Sequence, residues 1–175
     1  MEMSILKVAR LGHPVLRVKA EPVAAADLRS PDFQQLIDDL IDTMVEYQGI
    51  GLAAPQVHES VRLFVAGFED GHDDLRIVPF INPVISVSDP EMVEDWEGCL
   101  SVPDIRGRVA RPRAIVVKAL DRHGEEFEMS LSDYPARVAM HETDHLDGVL
   151  FLDRMGSLET LTFLEEYGRY WHDRG

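Results

Sequence analysis

Two histidines four residues apart, in His141-Glu142-Thr143-Asp144-His145, constrain this chain more than any other feature. On a helix such positions sit one above the other on a single face, so both imidazoles project together. Two neutral imidazoles held this way can bind a transition metal, each at about 2.0–2.1 Å. Glu142 stands beside the first histidine and can reach a water held there, as general base. The pattern asks for a helix with that face turned to a site. On a solvated helix the same spacing would be incidental, so support has to come from elsewhere in the chain.

A catalytic metal usually takes three protein ligands and leaves a position for water. In the extended form H-E-x-x-H-x-x-G-x-x-H a histidine one turn past a glycine supplies the third. Gly148 stands in the right place, but Phe151 occupies the histidine position, so that form fails. Glu165, on a later helix, is one remaining candidate. Cys99 is the better one. In Trp96-Glu97-Gly98-Cys99-Leu100-Ser101 the glycine allows a tight backbone path, and a thiolate is a strong ligand. A lone cysteine is more often a small buried apolar residue. Beside a helical pair that lacks a local third ligand, the balance tips toward ligation.

With 175 residues, 45% of them apolar and 28% charged, the chain can bury one real core. A net charge of −15 disfavours a nucleic-acid surface, which needs clustered Lys and Arg. One cysteine permits no intrachain disulfide and suits a reducing cytosol. Lys7, Arg10, Pro14, Arg17 and Lys19 break up the amino-terminal apolar positions, so no secretory signal is expected. No run approaches the roughly 18 apolar residues of a spanning helix. The expectation is a soluble, cytoplasmic protein with no membrane partner.

Ser30-Pro31 suits a helix start, after which Phe33, Leu36, Ile37, Leu40, Ile41, Met44 and Val45 fall on one face. Gly49 is expected to close that helix. The segment Gly49–Gln56, with two glycines and a proline, reads as a loop that backbone can approach closely. Strands are expected at Val61–Ala66, Ile77–Ile81, Arg113–Leu120 and Glu126–Leu131. Glu69-Asp70-Gly71 and Asp121-Arg122-His123-Gly124 mark turns, the second a hairpin tip. Ser132 or Asp133 can cap a second helix, with Pro135 in its first turn, running to about Asp147 and ending at Gly148. A weaker third helix follows Ser157, with Leu158, Leu161 and Leu164 on one side. The fold class is α+β: a single domain over residues 1–175, antiparallel sheets packed around a central helix carrying the histidine pair, and a C-terminal helix.

Three segments, in order, resemble the signature motifs of the peptide deformylases. They are Gly49-Ile50-Gly51-Leu52-Ala53-Ala54-Pro55-Gln56, Glu97-Gly98-Cys99-Leu100-Ser101 and His141-Glu142-Thr143-Asp144-His145. The third continues in the family manner through Leu146-Asp147-Gly148-Val149-Leu150-Phe151, and Arg10–Arg17 is similar to the family's opening. The resemblance implies that Cys99, His141 and His145 hold one divalent metal, ferrous iron in the cell, with zinc, nickel or cobalt able to substitute. It implies Glu142 as general base, and the Gln56 side chain and Leu100 backbone N–H as donors to the developing oxyanion. The substrate would be the N-formyl-methionyl end of a nascent peptide. Gly49 and Gly51 would lie along its backbone, in a strand-addition mode. Arg106 would contact that backbone too, though a surface ion pair is nearly as good a reading. Ile50, Leu100, Tyr134 and Val138 would line a pocket for the methionine side chain, or serve simply as core.

Some positions depart from the family pattern. Many relatives carry glutamine where this chain has Met140, and several carry an apolar residue where it has Arg137. Some bacterial relatives dock on the ribosome through a basic C-terminal helix. Residues 157–175 instead set Glu159, Glu165, Glu166 and Asp173 against Arg169 and Arg174, which argues against docking by that route.

Overall fold

The computed structural model describes residues 4–69 and 75–172. The Asp70-Gly71 part of the first turn, and Asp173 and Arg174, lie outside the described residues. Helix α1 spans Pro31–Glu46, with the Ser30 hydroxyl accepting from the Phe33 N–H as its cap. Phe33, Ile37, Leu40 and Met44 are buried on one face. Val45 does not share that face and is 56% exposed. The left-handed residue past this helix is Gln48 (φ 55), not Gly49. A Cβ on Gly49 would meet Leu100 Cδ1 at 3.1 Å, so clearance is what favours glycine there.

Residues 49–56, expected as a loop, carry strand β1 (Gly51–Ala53) and a 3-10 turn (Ala54–Val57). β2 (Leu63–Glu69), β3 (Leu75–Cys99), β4 (Val102–Leu120) and β5 (Glu126–Ser132) follow. All pair antiparallel in one sheet, in the order β1-β2-β3-β4-β5. The central hairpin is far longer than the sequence suggests. Pro83, Pro90, Pro103 and Pro112 read as breaks, since proline cannot donate to a ladder. Register shifts at Ile81/Val84, Val87/Asp89 and Asp89/Met92 take up the irregularities around the first two, and the strand runs on.

Helix α2 (Asp133–Leu146) begins after Ser132 and carries the histidine pair. Ala136, Val138, Ala139, Met140 and Leu146 pack with Phe64, Phe80, Ile115 and Val117 of the sheet. It touches each of β1 to β5, which makes it the central helix. α2 stops before Gly148, whose φ is +73 and whose missing Cβ would meet the Arg17 backbone at 2.8 Å. Both facts call for glycine. Then come α3 (Phe151–Arg154), β6 (Thr162–Phe163), which pairs with β4, and α4 (Leu164–Tyr170). Ser157 caps only a short 3-10 turn (Leu158–Thr160), and the C-terminal α-helix starts at Leu164. Among the described residues, no helix is long and apolar enough to cross a membrane.

Candidate metal centre

Cys99 ends β3, just past a register shift between Gly98 and Cys99. His141 and His145 come from the buried part of α2. One ligand atom from each of the three lies within 4.8 Å of the others, with Cys99 Sγ 3.2 Å from His145 Nε2. Phe151, which displaced the expected third histidine, is buried and stacks on the His141 ring at 6.3 Å. Glu165 lies exposed on α4 in an ion pair with Arg169, away from the cluster. Cys99 is the third member.

One thiolate and two imidazoles suit a borderline metal such as zinc or iron. His141 Nδ1 is engaged by Glu97 Oε2 at 2.9 Å, which leaves Nε2 for a metal. Glu142 is only 5% exposed, and its Oε2 has no hydrogen-bond partner among the described residues. A buried acceptor without a partner is costly. At the edge of a ligand cluster it fits a site whose remaining partner is not protein. The donor set therefore fits a divalent metal.

Glu97 is the hub behind the cluster. Its two oxygens accept from Arg111 Nε at 2.5 Å, Arg111 Nη2 at 3.0 Å and Arg137 Nη1 at 2.8 Å, besides the His141 contact. Arg111 also donates to Asp144 at 2.9 Å, and Arg154 to the same carboxylate at 2.7 Å. Burial alone would raise the Glu97 pKa, but hydrogen bonds from His141 and Arg111 and their charges bring it from 4.5 down to about 2. Burial likewise works against the Cys99 thiolate, yet His145 and His141 outweigh it and hold the thiol well below its usual range. His141 is pushed the other way, well above its ordinary value, because Cys99 and Glu97 outweigh its desolvation. Burial raises Glu142 above the usual carboxylate range, against the pull of His141 and His145. A carboxyl tuned upward and facing a cavity is a candidate proton carrier.

The sequence-predicted residues converge. Gly49, Ile50, Gly51, Gln56, Cys99, Leu100, Arg106, Tyr134, Val138, His141 and Glu142 all line one cavity of about 1070 Å³, with His145 buried behind them. Gln56 is held by both ends: Oε1 accepts from the Ala53 N–H at 2.9 Å, and Nε2 donates to Ser101 Oγ at 3.2 Å and Cys99 Sγ at 3.6 Å. A Cβ on Gly51 would sit 2.5 Å from Glu142 Oε1, so this glycine makes room for the carboxylate. A Cβ on Gly98 would sit 2.1 Å from Arg106 Nη1, so the guanidinium lies against bare backbone there. Met140 packs into the core and fills space where a glutamine would need partners.

Sequence reasoning missed the roles of Glu97, Arg111 and Asp144. One signal was available: Val109 and Arg111 share a face of β4 at period two, so the arginine falls at an inward position. It also missed Leu164 and Tyr167, which line the cavity from α4.

Comparison with known proteins agrees along the chain. The polypeptide deformylase family model matches residues 5–160. Peptide deformylase 2 of Nostoc sp. is 45% identical over 173 residues, 95% of each chain. Similar solved structures include a class I type b peptide deformylase from Acinetobacter baumannii (TM-score 0.81, 40% identity, 88% of this chain and 100% of that one), crystallised with Met-Ala-Ser. Another is the Thermotoga maritima peptide deformylase (TM-score 0.79, 41% identity, 87% and 99%). A plant peptide deformylase covers more of this chain, at 97%, and 88% of its own (TM-score 0.81, 35% identity). With its fold, its motifs and its relatives in agreement, this chain belongs to the polypeptide deformylase family, and is a hydrolase of that kind.

Proposed function

We propose that this chain removes the formyl group from the N-formyl-methionyl end of newly made polypeptides and releases formate, acting as one catalytic unit over residues 1–175. One observation carries the reading: the Cys99, His141 and His145 donors and the Glu142 carboxylate, whose Oε2 has no hydrogen-bond partner among the described residues, meet at the cavity that Gln56 and Leu100 also line. Cys99, His141 and His145 would hold one divalent metal, ferrous iron by resemblance, with zinc, nickel or cobalt able to stand in. A metal held there would supply the positive charge that makes water nucleophilic near neutral pH.

The protein's own groups do the rest. Glu142 takes a proton from the attacking water and passes it to the amine as the carbon–nitrogen bond breaks. Gln56 Nε2 and the Leu100 N–H donate to the formyl oxygen as it gains charge. Gln56 is anchored through the Ala53 N–H and Ser101, so little reorganisation is needed at the moment of reaction. β1 pairs with β2 on one side, which leaves its other edge to the substrate backbone. Tyr134, Val138, Ile50 and Leu100 would receive the methionine side chain, and Arg106 the peptide backbone. The Acinetobacter baumannii relative binds Met-Ala-Ser, a peptide of the kind this reaction would release.

The setting we propose is the cytoplasm, on chains leaving the ribosome. Glu165 and Glu166 both pair with Arg169, so α4 offers no basic face for docking there. The test is an anaerobic assay of the iron-loaded protein on N-formyl-Met-Ala-Ser. Formate and free amine should appear in equal amounts, and Cys99→Ala should lose both metal and activity. No formate from fully loaded protein would overturn the reading.

A further inference from the structure

The family model stops at residue 160, yet the chain goes on to build β6 and α4 against the cleft. β6 pairs with β4 at Ile105↔Phe163 and Arg106↔Thr162, beside a residue that lines the cavity. On α4, Leu164 and Tyr167 are followed at helical spacing by Trp171, while Glu165 and Glu166 pair with Arg169. The apolar residues gather on Trp96: the Tyr167 ring lies 5.0 Å from it, edge to face, and the Trp171 ring 5.6 Å. The Arg108 guanidinium sits 6.0 Å from the same indole. Leu164, Tyr167 and Trp96 line the cavity that holds Cys99, His141 and Glu142, and Leu164 is 41% exposed.

We propose that β6 and α4 form an outer wall of the substrate cleft, where Leu164, Tyr167 and Trp96 grip an apolar side chain of the peptide downstream of its methionine. The inference rests on the deformylase reading. At the metal end the cavity is closed by buried His141 and Glu142, so a peptide held there continues outward along the remaining lining. At about 1070 Å³ the space exceeds the need of one formyl-methionine, since drug-sized ligands take about 300–1,000 Å³. The wall offers aromatic edges and a leucine methyl group, which favour an apolar occupant.

The chain has two tryptophans, Trp96 and Trp171, and both stand in this wall, so its intrinsic emission reports occupancy there. The metal-loaded full chain is compared on N-formyl-Met-Ala-Leu-Leu and N-formyl-Met-Ala-Asp-Asp. The kcat/KM ratio should favour the apolar peptide by about two- to tenfold, the size of one aromatic contact. Tyr167→Ala should bring that ratio close to one, while Tyr167→Phe keeps it. Titration with unformylated Met-Ala-Leu-Leu should shift the tryptophan emission, and Met-Ala-Asp-Asp should not. Deformylation with a ratio near one in the wild type, or emission unmoved by Met-Ala-Leu-Leu, overturns the wall and leaves the activity standing. An emission shift without any deformylation would instead overturn the activity and keep the wall.

Discussion

Gly51 and Glu142 are in such close contact that one methyl group between them is too much. A Cβ on Gly51 would lie 2.5 Å from Glu142 Oε1 and 2.8 Å from its Cγ. Gly51→Ala must therefore push the carboxylate out of place, and displacement of a reacting group by about 1 Å can cost roughly 100-fold in rate. The expected result is a fall in kcat of that order with bound metal unchanged, read by steady-state kinetics beside metal analysis. A loss of metal in step with activity would place the damage elsewhere. That Gly51 gives close access was legible in the sequence, because two glycines flank Ile50 in a short segment. Its neighbour was not. Glu142 is 91 positions away (142 − 51), and only the packing of α2 on β1 brings the two together. Cys99 and the two histidines were legible for a different reason: ligand chemistry narrows the residue types before any fold is known.

Among the elements, Arg137 joins those that carry the ligands. It sits on α2 one turn before His141, donates to Glu97 at the end of β3, and reaches the Val109 carbonyl of β4 at 2.8 Å and the Val93 carbonyl of β3 at 2.7 Å. One side chain thus spans the helix and both strands of the hairpin, beside the Arg111–Asp144 and His141–Glu97 contacts. Arg137→Met keeps much of the volume but strands two carbonyls, and should cost about 2–4 kcal/mol. Urea unfolding measures this. A midpoint equal to the wild type would show that Arg111 alone suffices to hold Glu97. Sequence reading located α1 and α2 within a residue or two, since periodicity acts locally in both, Ser30 caps α1 and Gly148 closes α2; Ser132 makes no side-chain cap bond, and Gln48 rather than Gly49 takes the left-handed turn after α1. It missed most of the β3–β4 hairpin, because what carries the strand past Pro83 and Pro90 is register shifts against a partner strand. Such pairing is set between segments rather than within one.

For the molecule as a whole, the Glu97 hub contributes to the response to acid, beside Asp121 and Asp153, which backbone and arginine hydrogen bonds also hold below their ordinary value. The Glu97 pKa is about 2 in the folded chain against 4.5 as reference, so a depressed carboxyl is the case that applies. Its contribution is complete above about pH 4.5 and disappears as pH falls through 2, a difference of about 3 kcal/mol. Unfolding free energies taken from about pH 6 to pH 3 should decline accordingly, and Glu97→Gln should flatten that decline. An equal slope in the variant would assign the acid loss to other carboxyls. The same architecture bears on how the protein behaves in a crowded solution. β1 stands at a sheet edge, and an open edge is a template on which other chains can stack. Self-association of this kind needs a run of about six residues. β1 supplies three, all buried, on a molecule of net charge −15. The strand end that would accept a peptide's first residues is too short to nucleate a fibril, so this edge of the sheet can recruit a ligand without templating a second copy of the chain.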